Sequence, residues 1–295
     1  MTIRVSLIPW AGREVASSRI RVFALEKALN AMPGVEAGIW LTQADVAVAQ
    51  KLSDPRDMDA VGKAEFGLRV YDFDDPMSMD VMKLAHEVCD AFTTDTDGHR
   101  QWYLDRGFTK PCLVVPDCVD YVEAPLAPVE ASGSAVWFGN KENEVAVHEM
   151  ATDLMDAGVR VGFISNQHGG YDPRLQLVRW GRLTLVEDLR SFGTCLLSHS
   201  GLPPGKSNNK MTAAISLGLP CIAEAGCCYE DLLVELGIAE LLVYGDWTAV
   251  DAFRYAEDPG FREHEFPYVQ QAVWDVYSPA AVAKTWLDAV CEVKI

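Results

Sequence analysis

Residues 200–210 carry side chains suited to binding an anion. The segment reads Ser-Gly-Leu-Pro-Pro-Gly-Lys-Ser-Asn-Asn-Lys, and it joins an apolar strand-like run to a helical stretch. Ser207 or Asn208 can cap that helix, whose free N–H groups and partial positive charge suit a phosphate. Lys206 and Lys210 add two full charges. The segment therefore predicts a phosphate site, and the alternative is a solvated loop with a good N-cap.

The same segment does not match a Walker A loop. Only three residues separate Gly201 from Gly205, whereas the G-x-x-x-x-G-K-[ST] spacing needs four. The chain also has no G-x-S-x-G, H-E-x-x-H or G-x-G-x-x-G motif. The usual signatures of hydrolases, zinc peptidases and dinucleotide oxidoreductases are therefore missing.

A second basic cluster lies in the loop 12–21, between the first strand and the first helix. Arg19 and Arg21 stand where the helix dipole disfavours cations, so a nearby anion would explain them. The planar guanidinium can hold a phosphate through two hydrogen bonds. The alternative interpretation is a salt bridge with Glu14 or Glu26.

Three aspartates end a strand-like run, Asp72, Asp74 and Asp75. Carboxylates so placed can bind a divalent ion, or one of them can act as a general base. Asp-Asp-Pro is also a common turn sequence, so a structural role is the alternative. In the second half of the chain, Asn140 and Lys141 follow a strand, and Trp180 can face a nucleoside base or belong to the core.

Composition excludes several classes of protein. Of 295 residues, 49% are apolar, which indicates globular domains and excludes disorder as the main state. The 43 acidic and 25 basic residues give a formal charge of −18, which repels nucleic acid and anionic membranes at long range. No apolar run approaches the ~18–20 residues that span a bilayer. Eight cysteines without a C-x-x-C pair predict free thiols in the cytoplasm and no metal site.

Strand-like and helical runs alternate along the chain, which predicts an α/β protein with parallel sheets. The segment 120–134 interrupts the series with prolines and little periodicity, and it marks a domain boundary. The predicted domains are 1–125 and 134–277. Strand carboxyl ends of two such units are expected to face one shared crevice, where ligands bind in open α/β sheets. The predicted strands are Ile3–Ile8, Val35–Leu41, Asp45–Ala49, Leu68–Phe73, Asp90–Thr94, Cys112–Val115, Ala135–Phe138, Arg160–Ser165, Leu175–Trp180, Thr194–His199, Leu219–Ala223 and Glu240–Tyr244.

With these residues in view, the chain resembles the GT-B glycosyltransferases, specifically the glycosyltransferase-4-like branch. Ser17–Arg21 and Val70–Asp75 match its first-domain motifs, and Val115–Asp120 is similar to its "PNGVD" exit from that domain. Ala135–Gly139 matches the first strand of its second domain. Lys206–Ala223 resembles its "EAMAxGxPVV" helix and strand.

The resemblance implies two Rossmann-like domains facing a central cleft, with the helix 280–293 (part of 278–295) packing back on the first domain. It implies a nucleotide-sugar donor on the second domain, an acceptor on the first, and neither a bound metal nor a cofactor, since basic groups and a helix dipole stabilise the leaving diphosphate. The residues it implies for the diphosphate are Lys206, Ser207, Asn208 and Asn209, together with Asn140 and Lys141. The charge of Lys210 and the position of Trp180 after a strand add these two residues to the predicted donor site. Those implied for the acceptor side are Gly12, Arg13 and Arg21.

One departure from the branch concerns its two glutamates spaced eight apart. They would fall near Gly205 and Ala213, and neither position is acidic. An inverting transfer would need a base on the first domain, for which Asp74 and Asp75 are the candidates, assisted by Arg19. The expected activity is sugar transfer to an acceptor hydroxyl on a small molecule, a glycan or modified DNA. The alternatives are a phage-type DNA glycosyltransferase acting on hydroxymethylated bases and a non-catalytic nucleotide-sugar-binding protein.

Overall fold

The computed structural model describes residues 2–167, 172–199 and 206–293. The chain divides into two compact units. Unit 1 comprises Met1–Asp120, Gly205–Ser207 and Val276–Ile295, and unit 2 comprises Tyr121–Pro204 and Asn208–Asp275. Residues 121–125, which the sequence assigned to the first domain, thus belong to unit 2, and Lys206 and Ser207 belong to unit 1.

Unit 1 contains a six-stranded parallel sheet in the order β2-β1-β3-β4-β5-β6. Its central strands are apolar and buried, as expected when helices cover both faces of a parallel sheet. The strands are β1 (Ile3–Ile8), β2 (Val35–Ile39), β3 (Gln43–Gln50), β4 (Glu65–Phe73), β5 (Ala91–Thr94) and β6 (Cys112–Val114).

Helices connect these strands, and one of them was missed at the sequence level. That helix, Pro55–Lys63, is short, but Asp54 caps it and a proline occupies its first position. A π-helical segment, Arg19–Ala24, carries the two arginines of the first loop. The α-helices are α1 (Ala16–Ser18), α2 (Leu25–Asn30), α3 (Pro55–Lys63), α4 (Met79–Val88) and α5 (Asp97–Leu104).

Unit 2 repeats the architecture with a second six-stranded parallel sheet, in the order β12-β11-β10-β7-β8-β9. Gly162 in β8 lets the ring of Phe192 lie against the strand, where a Cβ would come within 2.3 Å of that ring. The strands are β7 (Ser134–Gly139), β8 (Arg160–Ser165), β9 (Gln176–Arg179), β10 (Thr194–Leu197), β11 (Cys221–Glu224) and β12 (Leu242–Val243).

The helices of unit 2 include a second one that the sequence did not reveal, Phe266–Tyr277. Pro267 lies in its first turn, directly after the π-helical segment Phe261–Glu265, and the proline masked the helical pattern. The α-helices are α6 (His148–Asp156), α7 (Leu185–Arg190), α8 (Asn209–Ser216), α9 (Cys228–Glu235), α10 (Ala249–Ala256) and α11 (Phe266–Tyr277).

The last helix, α12 (Pro279–Val293), contributes to the core of unit 1. Val282, Trp286 and Val290 lie on one face at helical spacing and are buried in the cluster that also contains Leu25 and Val5. Across the described residues, no helix combines the length and apolar character needed to cross a membrane.

Candidate functional site

Each sheet has one point where the strand order reverses. In unit 1 this point lies between β1 and β3, and in unit 2 it lies between β7 and β10. Loops that leave the carboxyl ends of two such strands diverge, which opens a crevice where open α/β sheets bind ligands. A ligand is therefore expected at the residues after β1 and β3 in unit 1, and at those after β7 and β10 in unit 2.

In unit 1, Gln50 ties the loop after β1 to the end of β3. Its Oε1 accepts hydrogen bonds from the Trp10 backbone N–H at 3.1 Å and from Ser18 Oγ at 2.9 Å. Gln50 is fully buried, yet its Nε2 has no hydrogen-bond partner among the residues that the structure describes. A buried amide donor without a partner costs free energy unless a ligand or water accepts from it.

Lys51, the next residue, holds two carboxylates at the same edge. Its backbone is left-handed, with φ 51°, which is uncommon for a residue with a side chain. Its Nζ lies 2.9 Å from Asp74 Oδ1 and 2.8 Å from Asp75 Oδ2. It also lies 5.4 Å from the centre of the Trp10 ring. Lys51 was not among the residues predicted from the sequence, although it follows a strand just as the aspartates do.

The two carboxylates differ in their electrostatics. Burial raises the pKa of Asp74, and the nearby Lys51 only partly offsets this effect. Burial acts in the same direction on Asp75, but hydrogen bonds from Lys206 and Lys51 outweigh it and lower its pKa. Burial lowers the pKa of Lys51, but the charges and hydrogen bonds of Asp74 and Asp75 together outweigh it and the net shift is upward. Asp74 is therefore the more basic carboxylate, as a proton acceptor requires.

Arg21 is buried and binds carboxylates of the chain itself. Its Nη2 lies 2.6 Å from Asp72 Oδ1 and its Nε 2.8 Å from Asp72 Oδ2, a bidentate pair. Its Nη1 donates to Asp117 Oδ1 and to the Val115 carbonyl, both at 3.0 Å. Burial lowers the pKa of Arg21, but Asp72 and Asp117 outweigh it and raise the pKa well above its usual value. These aspartates supply the anion that the sequence predicted beside Arg21, which is itself only 7% exposed.

The other predicted residues of the first loop differ from one another in exposure. Arg19 is also buried and pairs with Asp120, because the π-helical segment turns both arginines inward. Gly12 and Arg13 are exposed. Arg13 lies 3.6 Å from Glu26, whereas Arg19 and Arg21, for which the sequence left a salt bridge with Glu14 or Glu26 as the alternative, pair with aspartates.

Two residues predicted to bind the donor contact aspartates of unit 1. Lys206 Nζ lies 2.8 Å from Asp75 Oδ1, and Ser207 Oγ donates to Asp117 Oδ2 at 2.9 Å. Burial raises the pKa of Asp117 to about 7, and the charge of Arg21 offsets this only in part. Neutralisation of Asp117 therefore falls within the physiological pH range.

The raised pKa of Asp117 predicts a pH-dependent stability. The folded state binds this proton more tightly than the unfolded chain, so from about pH 4 to about pH 7 it carries more protons and its stability falls as the pH rises. In Asp117→Asn, the decline of the melting temperature over this range is expected to be shallower than in the wild type. Thermal unfolding at several pH values measures both slopes, and equal slopes would contradict the assignment.

In unit 2, Lys210 lies at the reversal point between β7 and β10. It is the second residue of α8, which follows β10, and its Nζ lies 5.4 Å from the centre of the Trp137 ring. A Cβ on Gly139 would come within 2.7 Å of that Nζ, so the ammonium lies against the end of β7 at a position where glycine leaves room for it. The structure thus brings Lys210 next to the Gly139-Asn140 turn, which the sequence predicted separately as donor-binding.

The remaining predicted donor residues lie at the start of α8 and after the strands β7 and β9. Asn208, one of the two residues that the sequence offered for the cap, occupies the N-cap position of α8, but its side chain makes no capping hydrogen bond, and Asn209 begins the helix. The Lys141 N–H donates to Asn166 Oδ1 at 3.4 Å, and Trp180 is half-buried directly after β9. Residues 200–205 of the predicted phosphate loop lie outside the described residues.

A group of polar side chains at the ends of β10 and β11 was not predicted from the sequence. Ser198 donates to Glu224 Oε2 at 2.5 Å. His199 contacts Cys228 Sγ at 3.0 Å through Nδ1 and the Tyr229 hydroxyl at 2.9 Å through Nε2. Their position at strand ends was the available signal. Nothing in their spacing along the chain connects them.

Comparison with known proteins shows the fold. No protein-family model and no curated protein matches the sequence. The structure is similar to that of the lipopolysaccharide outer core galactosyltransferase WaaB in its apo form, with a TM-score of 0.63, 12% identity, and coverage of 98% of this chain and 99% of that chain. It is equally similar to the DNA-modifying enzyme β-glucosyltransferase, with a TM-score of 0.64, 9% identity, and 99% of both chains covered.

A third solved structure, described as trehalose-6-phosphate from E. coli bound with UDP-2-fluoro glucose, gives a TM-score of 0.64 at 9% identity, again over 99% of both chains. All three alignments run through both units and leave almost none of either chain unmatched. Two parallel six-stranded sheets with flanking helices and this likeness together identify the architecture as the GT-B fold of glycosyltransferases.

Proposed function

We propose that this protein is a glycosyltransferase that moves a sugar from a nucleotide-sugar donor to an acceptor hydroxyl without a bound metal. The observation that carries the proposal is the concentration of ionisable side chains at the reversal points of two parallel sheets in a GT-B fold. The finer assignment, a divergent member of the glycosyltransferase-4-like branch, rests on the sequence motifs. We place the reaction in the cytoplasm, where eight free thiols persist.

In this proposal, unit 2 binds the donor. Lys210, the N-terminus of α8 and the Asn140-Lys141 turn would hold the diphosphate, because an ammonium and free backbone N–H groups stabilise the charge that develops as the diphosphate leaves. Trp180, half-buried after β9, would contact the base. Ser198 and Glu224 have hydroxyl and carboxylate oxygens suited to the hydroxyl groups of a ribose or sugar.

Unit 1 would bind the acceptor and supply the base. The Asp74 carboxylate would take the proton of the acceptor hydroxyl, whose oxygen then forms the new bond to the anomeric carbon while the bond to the diphosphate breaks. Base-assisted displacement in one step inverts the anomeric configuration. Asp75 and Lys51 would orient Asp74, and Lys206 would pair with Asp75.

A thermal-shift screen of nucleoside diphosphates and their sugars tests donor binding. A ligand that binds only the folded state stabilises it by about 2.7 kcal/mol at a hundred times its dissociation constant. The shift is expected to disappear in Lys210→Ala and to shrink less in Lys206→Ala, because Asp75 already shares the charge of Lys206. The exposed Lys83 on α4 gives the control, Lys83→Ala, which should keep the wild-type shift.

The absence of a shift with every nucleotide would contradict the proposed function. Wild-type shifts in Lys210→Ala would instead contradict the donor site while leaving the activity open to measurement. A second candidate function, glucosylation of DNA, is favoured by the likeness to the DNA-modifying β-glucosyltransferase. The charge of −18 weighs against a polyanionic acceptor.

A further inference from the structure

Trp10 exposes half of its surface at the reversal point of the first sheet. It follows β1 by two residues, and its backbone N–H is fixed by the buried Gln50 at the end of β3. The side chain itself is 50% exposed, so folding leaves a large apolar face in solvent. Its place on the sheet edge is where a ligand is expected from topology alone.

The groups next to this ring are polar and only partly satisfied. The Lys51 ammonium that lies 5.4 Å from the ring centre also pairs with Asp74 and Asp75, so the ring and both carboxylates surround one cation. Within the described part of the chain, the buried Gln50 Nε2 lacks a hydrogen-bond partner. Asp74 Oδ1 is also buried, and the Lys51 ammonium lies 2.9 Å from it.

These five residues, Trp10, Gln50, Lys51, Asp74 and Asp75, form what we call the tryptophan patch. An aromatic face carries partial negative charge and attracts the C–H groups of a sugar ring, which carry partial positive charge. Carboxylates and an amide beside the ring can bind the hydroxyl groups at the edge of the same sugar. An exposed ring next to hydrogen-bonding groups of both kinds therefore fits a carbohydrate.

The charges favour an uncharged ligand. Lys51 is only 8% exposed and its charge is matched by two carboxylates, one of which also pairs with Lys206. The tryptophan patch together with Lys206 thus has two ammonium and two carboxylate groups, and no surplus of positive charge is left for phosphates. A nucleic acid needs such a surplus, because contacts with its phosphates supply most of the affinity.

We propose that the tryptophan patch binds a neutral saccharide by stacking it on Trp10, and that this saccharide is the acceptor of the transfer. Its identity as the acceptor rests on the proposed function, whereas saccharide binding does not. Gln50 Nε2 would donate to a hydroxyl oxygen, and the Asp74 carboxylate would accept from the hydroxyl that reacts.

The test is binding to an array of neutral methyl glycosides and oligosaccharides, with no nucleotide sugar present. Titration of the best probe compares the wild type with Trp10→Ala, Trp10→Phe and Trp40→Ala. Trp40 is the matched control, because it is 48% exposed and follows the neighbouring strand β2, outside the reversal point. A duplex containing hydroxymethylcytosine is titrated in the same buffer.

We expect one or more neutral probes to bind, Trp10→Ala to weaken that binding about tenfold, and Trp10→Phe to retain most of it. Trp40→Ala should bind as the wild type does, and the DNA should not bind. The proposal is wrong if no probe binds, if Trp10→Ala binds like the wild type, or if the DNA binds through Trp10 instead. The nucleotide screen is independent of these results. The saccharide proposal can therefore be wrong while the proposed function is supported, and the proposed function can be wrong while saccharide binding is supported.

Discussion

Replacing Asp74 by asparagine is expected to lower kcat by about a hundredfold to ten-thousandfold, the usual contribution of a positioned general base. The change removes the proton acceptor but keeps the size of the side chain, and Lys51 keeps its pair with Asp75. Donor binding should therefore persist. Initial rates of transfer, together with the thermal shift caused by the nucleotide, measure the two effects separately.

The neighbouring aspartate gives the discriminating comparison. Asp75→Asn loses the contact with Lys206 but no proton acceptor in the proposed mechanism, so its kcat should fall much less. The exposed Asp59 in α3 provides the control, Asp59→Asn, with wild-type rates. If Asp75→Asn lost the activity and Asp74→Asn kept it, the base would be Asp75.

The pH dependence of the wild type follows from the same assignment. The base acts only when it is deprotonated, and burial raises the pKa of Asp74 above that of an ordinary aspartate. The ratio kcat/KM should therefore fall as the pH is lowered through this raised pKa, well before an unperturbed carboxylate would titrate. If Asp75 were the base instead, its lowered pKa would place the fall of kcat/KM at a lower pH than an unperturbed aspartate would.

Arg21→Ala is expected to destabilise unit 1 by about 3–5 kcal/mol, the usual cost of removing one partner of a buried ion pair. The substitution leaves Asp72 and Asp117 buried without their guanidinium, and it removes the hydrogen bond to the Val115 carbonyl. Urea unfolding gives the free energy of unfolding and its slope. A loss of that size is a large part of the stability of an ordinary domain.

The control for this substitution is an arginine in an exposed pair. Arg4 lies 3.3 Å from Glu36, with both side chains more than half exposed, and Arg4→Ala should cost less than about 1 kcal/mol. Equal costs for Arg21→Ala and Arg4→Ala would show that the buried network does not stabilise the fold. The network would then have another role at the strand ends.

The order of strands and helices could be predicted from the chain, because it depends on local pattern. Runs such as Val46–Ala49 and Ala135–Phe138 are apolar throughout, as buried parallel strands must be, and α8 is flanked by glycine and proline punctuation. The two α-helices that were missed have local explanations. The helix α3 is short, and Pro267 interrupts the pattern of α11.

Pairing of charges could not be predicted in this way. Arg21 binds Asp72 and Asp117, which lie 51 and 96 residues away, and Lys51 binds Asp75 at a separation of 24. In the sequence, Asp74 and Asp75 are equivalent candidates for a base. Burial of one and hydrogen bonding of the other give them opposite pKa shifts, and neither effect is visible before the strands pair.

The sequence by itself thus determined the α/β class, the two parallel sheets and the stretches that reach their carboxyl ends, because hydrophobic periodicity acts over neighbouring residues. Only the tertiary structure decided which side chains near those strand ends contact one another. It buried Arg19 and Arg21 among aspartates, it placed Trp10 beside Gln50 and Lys51 from 40 residues along the chain, and it set Lys210 against Gly139. Contacts of this kind depend on strand order, which no local pattern encodes.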